Sequence, residues 1–152
     1  MSHDAPAQQA HAATDRRGID PRGQRIGAGI TSVVLAIVLV TSFWPLLVFQ
    51  ALVFLSGVAL GPTSTPYSWV FKKLVRPRIG APKELEDPAP PRFAQGVGLA
   101  FAVVGVLGYA LGSNVVGAVA TGFALVAALL NASIGLCLGC EMYLLGRRLA
   151  AR

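Results

Sequence analysis

The sequence predicts an all-α integral membrane protein: a bundle of four transmembrane helices with a cytoplasmic amphipathic helix. Three observations predict it. The 152 residues are 54% hydrophobic and only 13% charged, against about a quarter charged in soluble domains. The apolar runs have lengths that suit pairs of membrane spans. All 13 Lys and Arg fall in three segments, outside those runs. The same composition excludes disorder of the whole chain, and two cysteines are too few for a disulfide-rich scaffold. The net charge of +6 comes without a nucleic-acid recognition motif. The basic residues are therefore assigned to topology and to the anionic headgroups of a lipid bilayer, not to nucleic acid.

Residues 1–19 are polar, Ala-rich and aperiodic, and read as a disordered cytoplasmic tail. They lack the apolar h-region of a signal peptide. Arg16-Arg17 resembles a twin-arginine signal, but Gly18-Ile19-Asp20-Pro21 breaks the pattern. Residues 20–149 form the membrane domain, and 150–152 a basic C-terminal end. From Ile26 to Gly61 no residue is formally charged. As one helix this run would be about 54 Å long, far more than a hydrocarbon core of about 30 Å. It must fold back, and Thr41-Ser42-Phe43-Trp44-Pro45 is the natural turn. Pro45 suits a helix start and Trp44 an interface. Helix 1 is placed at 26–42 and helix 2 at 45–61.

A Pro-punctuated loop follows at 62–92. Inside it, Tyr67, Val70, Phe71, Leu74 and Val75 recur at helical spacing, opposite Ser68, Trp69, Lys72, Lys73 and Arg76. The pattern reads as an amphipathic helix lying on the membrane, its cationic face toward the headgroups; the alternative is packing against the end of the bundle. Glu84, Glu86 and Asp87 are read as solvated loop. Helix 3 is placed at 93–111, Gly112-Ser113-Asn114 is a turn, and helix 4 occupies 115–136, with the remaining residues at or beyond the interface.

Four lysines and arginines precede helix 1, six lie between helices 2 and 3, and three follow helix 4. Neither outer turn carries any. An even number of spans gathers all three groups on one side, so both termini are expected in the cytoplasm. Gly57/Gly61, Gly108/Gly112 and Gly135/Gly139 have the small-xxx-small spacing that lets helix backbones approach, within the bundle or in a homo-oligomer.

The chemistry concentrates at Cys137-Leu138-Gly139-Cys140. Two cysteines scattered at random would fall three apart only about once in eighty such chains. The pair can form a reversible disulfide, carry a persulfide or supply half of a metal site. A cytoplasmic setting keeps thiols reduced, which argues against a permanent bridge. On a continuous helix both sulfurs share one face with Glu141, a carboxylate able to accept a proton but repelling a thiolate. If Gly135 or Gly139 breaks the helix, the pair opens a new one, whose N-terminus favours a thiolate. The sequence leaves both geometries open, beside a third reading in which two small soft residues pack in a Gly-rich helix end. Asn131 is expected to make an interhelical hydrogen bond, and Glu141 to pair with Arg147 or Arg148 or to be solvated. A zinc site would need a second copy of the pair, since the only histidines, His3 and His11, lie in the tail.

Three blocks carry a resemblance: Ile19-Asp20-Pro21-Arg22-Gly23, LVRPRIGAPKELEDPAPPRFAQGVGLAF from Leu74 to Phe101, and LLNASIGLCLGCEMYLL from Leu129 to Leu145. The chain resembles a bacterial integral membrane family, domain of unknown function 4395, over about residues 18–149. The resemblance implies a bacterial plasma-membrane location and genes set near those of thioredoxin-like proteins and sulfurtransferases. The family has no established activity, and its cofactors are unknown. The expected function is thiol–disulfide or sulfur exchange by Cys137 and Cys140, with Glu141 beside them, toward a cytoplasmic thioredoxin-like or sulfurtransferase partner. The alternative is a non-enzymatic membrane assembly subunit or a small sulfur-oxyanion transporter component, so whether the chain is an enzyme stays open.

Overall fold

A computed structural model describes residues 18–152; the tail before Gly18, with Arg16, Arg17 and both histidines, lies outside the described residues. Among the described residues every regular element is helical. Its long helices are α1 (Pro21–Thr41), α2 (Trp44–Ala59), α5 (Ala89–Ala110) and α6 (Asn114–Ile134). Between α2 and α5 come a single 3₁₀ turn (Pro62–Ser64), α3 (Pro66–Val70), a π-helical turn (Phe71–Val75) and α4 (Arg76–Ile79). A final helix, α7 (Leu138–Ala150), closes the chain. α1, α5 and α6 are long and apolar enough to cross a membrane. α2 is equally apolar but has 16 residues, about 24 Å at 1.5 Å per residue.

The boundaries follow from local chemistry. α1 starts five residues before the expected 26 because Asp20 caps it: Arg22 N–H donates to Asp20 Oδ1 at 3.0 Å, and Pro21 occupies the first turn, where its missing N–H costs nothing. Charge in that turn hides it from a hydropathy reading. Burial pushes the Asp20 carboxyl up, but hydrogen bonds and charge from Arg22, with Arg76 beyond it, outweigh this and hold it below the ordinary aspartate range. α5 starts at Ala89, before the expected 93, since Pro90 and Pro91 are tolerated in a first turn. The π turn ends where Arg76 N–H reaches Phe71 O, one residue farther than an α-helical bond. Pro77 follows at once, and a widened turn relieves the clash of its ring with the preceding carbonyls.

The hairpins α1–α2 and α5–α6 interlock: α1 packs chiefly on α6 and α2 on α5, while α5 also lines α6. Leu35, Val38, Leu47, Phe54, Ala102, Tyr109 and Ala124 form the core. The exterior is at least as apolar, with Val40, Leu52, Leu107, Val119, Phe123 and Val126 all exposed. Polar groups lie inside instead: Gln50 and Thr121 are fully buried, and Thr31 and Ser32 nearly so. Exposed apolar surface of this extent marks a membrane-facing or protein-facing surface.

Two expectations are corrected here. Ile19, assigned to the tail, is 4% exposed and pairs with Glu86 of the acidic loop through two backbone hydrogen bonds of 2.9 Å. Both segments are thereby held against the bundle. Of the apolar stripe at 67–75, Tyr67 and Phe71 pack on the bundle, the alternative reading above. Tyr67 and Phe71 are buried against Gly27 and Gly23 of α1. Leu74 and Trp69 stay exposed, with Lys73 Nζ 5.0 Å from the Trp69 ring centre. The small-residue pairs also split by role. Gly57, Gly108 and Gly139 are close-contact positions, whereas Gly61, Gly112 and Gly135 take positive φ and end helices.

Tyr67 OH donates to Gln50 Oε1 at 2.7 Å, and Gln50 Nε2 faces Thr31 Oγ1 at 3.5 Å. Burial pushes the Tyr67 hydroxyl up to about 12. A phenol raised in the folded state stabilises fully below the unfolded value near 10, and that contribution fades as pH rises through 12. Tyr67→Phe strands the buried Gln50 oxygen and is expected to cost about 1–3 kcal/mol. Thermal melts in detergent check it: the variant should melt lower at pH 8, and the difference from wild type should shrink above about pH 10.

Candidate functional site

Arg22, Arg25, Lys72, Arg76 and Arg92 lie at the end where α1 and α5 begin and α2 and α6 finish. Several are spent on helix ends. Arg92 Nε donates to Val58 O at 2.6 Å, and Arg25 Nη2 to Ser133 O at 2.9 Å. Each cation thus satisfies last-turn carbonyls and meets the negative end of the helix dipole. Sequence reasoning assigns these residues to topology and misses this second use. Its only signal is their position at helix boundaries.

Arg25 bears directly on the cysteines. It holds the last turn of α6, after which Gly135 takes φ +73 and accommodates the helix break that an L side chain would oppose. Gly135 N–H closes on Asn131 O at 3.1 Å, and the chain leaves the helix at Leu136. Cys137 (φ −89, ψ 99) is then the N-cap of α7. Of the two geometries open in the sequence, the structure has the broken helix.

Cys140 N–H donates to Cys137 Sγ at 3.3 Å, and Glu141 N–H to Cys137 O at 3.0 Å. The two sulfurs are bonded as a disulfide, with Cα atoms 5.2 Å apart. Both cysteines are half-buried, and Glu141 is exposed in the first turn of α7. Among the described residues Glu141 makes no ion pair; Arg147 lies over Tyr143 instead. α7 is fixed on α5 by close contact: a Cβ on Gly139 would stand 2.6 Å from Ala94 Cα, and the Tyr143 and Phe93 rings are 5.7 Å apart.

Cys137 also forms part of the wall of a cavity of about 310 Å³. The cavity runs from this end into the bundle, between the four long helices and the start of α7. Phe54, Gly98, Phe101, Phe123 and Ala124 make its apolar lining, and Gln24, Gln95, Asn131, Thr31 and Tyr67 its polar part. Gln24 Nε2 and Gln95 Oε1 are buried with no hydrogen-bond partner among the described residues. The Asn131 side chain, expected to bridge two helices, makes no hydrogen bond among the described residues and lies on this wall. Gln50 is the amide that links helices, and it sits inside a run that reads as apolar. A wider cleft of about 830 Å³ on the same end is lined by Asp20, Lys72, Arg76 and Arg92 and by neither cysteine. Among the described residues no group of three or more His, Cys, Asp or Glu is placed to hold a metal ion.

A family model described as "Domain of unknown function (DUF4395)" matches residues 19–148. No curated protein and no solved structure matches the chain.

Proposed function

The chain belongs to the DUF4395 family, and from that premise we propose that it is a bacterial plasma-membrane protein whose Cys137–Cys140 pair exchanges disulfides or sulfur with a cytoplasmic partner. All four long helices span the bilayer in this reading, and α7 lies along its inner surface. The basic end faces the cytoplasm by the positive-inside rule, and both termini with it.

The observation that carries the reading is the position of Cys137 as the cap of a helix that begins at the pair. An N-terminal helix end stabilises negative charge, and the Cys140 N–H is aimed at Cys137 Sγ. Cys137 is therefore the attacking thiol and Cys140 the resolving one. In the reduced protein the Cys137 thiolate attacks a partner disulfide, forms a mixed disulfide and releases one partner thiolate. Cys140 gives its proton to Glu141 or water and attacks Cys137 Sγ. The Cys137–Cys140 bond forms and the partner leaves as a dithiol. Run backwards, the same steps reduce the pair. A thioredoxin-like protein suits this chemistry, and a sulfurtransferase would use the same thiolate to pass a persulfide sulfur. The test is capture of the mixed disulfide with single Cys→Ser variants. A covalent partner on Cys137 supports the reading, and none on either cysteine overturns it.

A further inference from the structure

We infer that the cavity beside Cys137 binds the ring of a lipid-soluble quinone, which oxidises the reduced cysteine pair; the inference rests on the thiol-exchange reading and names the electron acceptor of that site. In the reverse direction of the exchange, where a partner dithiol reduces the pair, each turnover needs a two-electron acceptor, and the cavity has the chemistry to hold one. At about 310 Å³ it lies at the small end of the range for small-molecule sites, about 300–1,000 Å³. It suits one substituted ring and excludes a peptide. Its walls are aromatic and aliphatic, with Cys137 among them.

An amide on the wall fits both redox forms: Asn131 lines the cavity, and its side chain makes no hydrogen bond among the described residues. Its Nδ2–H donates to a quinone carbonyl, and its Oδ1 accepts from a quinol hydroxyl. The step balances. Two S–H bonds break and the Cys137–Cys140 bond forms. The two electrons and two protons convert the quinone's carbonyls to hydroxyls.

The test uses the full-length protein in detergent, reduced and freed of reductant, with decylubiquinone as acceptor. Quinone absorbance and mass-tagged thiols are followed together, and a soluble aromatic disulfide serves in a parallel arm. Wild type is expected to consume one quinone per cysteine pair. Ala128→Phe narrows the cavity and should slow quinone reduction about tenfold, while Asn131→Leu should raise the half-saturating quinone concentration about fivefold. If the soluble disulfide oxidises the pair but decylubiquinone does not, the inference falls and thiol exchange stands. If neither reagent oxidises the pair, both fall. Quinone kinetics unchanged in both variants would also overturn the assignment of this cavity.

Discussion

Cys140→Ser is expected to accumulate a covalent adduct with a cytoplasmic partner, whereas Cys137→Ser accumulates none. The asymmetry follows from one helix cap. In Cys140→Ser, Cys137 keeps its place ahead of α7, and the backbone N–H at position 140 still points at its sulfur. It can attack a partner disulfide, but no second thiol resolves the product, so the mixed disulfide persists. In Cys137→Ser the remaining thiol sits within the first turn, lacks that N–H bond and neighbours the exposed Glu141 carboxylate, which disfavours a thiolate. Non-reducing gels of membranes from the two strains read the result directly. Equal trapping by both variants would contradict the assignment of roles.

Gly108→Ala is expected to have the largest effect on stability. Gly108 of α5 faces Gly117 of α6 at backbone distance, and an added Cβ would lie 2.5 Å from Gly117 N and 3.0 Å from its Cα. No side chain can rotate away, so the helices must part. The cost should approach about 3 kcal/mol, or a fall of about 6–12 °C in Tm for a chain of this size. Gly122→Ala is the internal control. It lies on α6 with nothing within 4 Å of the added Cβ, and alanine is the better helix former, so its melt should match or exceed wild type. A Gly108→Ala protein as stable as Gly122→Ala would mean that α5 and α6 are not in backbone contact.

The architecture is legible in the sequence because bilayer-scale patterns are long. Uncharged runs, the 41–45 turn and the Gly112 turn place four helices within a few residues of those observed. What escapes depends on single side chains whose partners are remote in sequence. Arg25 reads as a topology charge until α6 ends beside it. Gln50 reads as one polar residue in an apolar run until Tyr67 meets it from a segment 17 residues on. The amphipathic stripe of 67–75 is visible, but periodicity says only that one face is apolar, not whether lipid or protein covers it. The cysteine spacing is visible too, while the helix break that gives it meaning turns on whether Gly135 takes a positive φ. That choice is made by packing at the end of α6 rather than by local composition.

Sidedness of the sulfur pair tests the account most directly. After reduction with a permeant phosphine, intact cells are treated with a membrane-impermeant maleimide, then inverted vesicles with the same reagent. The account predicts protection of Cys137 and Cys140 in cells and labelling of both in inverted vesicles. Labelling from outside intact cells would contradict it, because the basic end would then face away from the partners with which the pair is proposed to react.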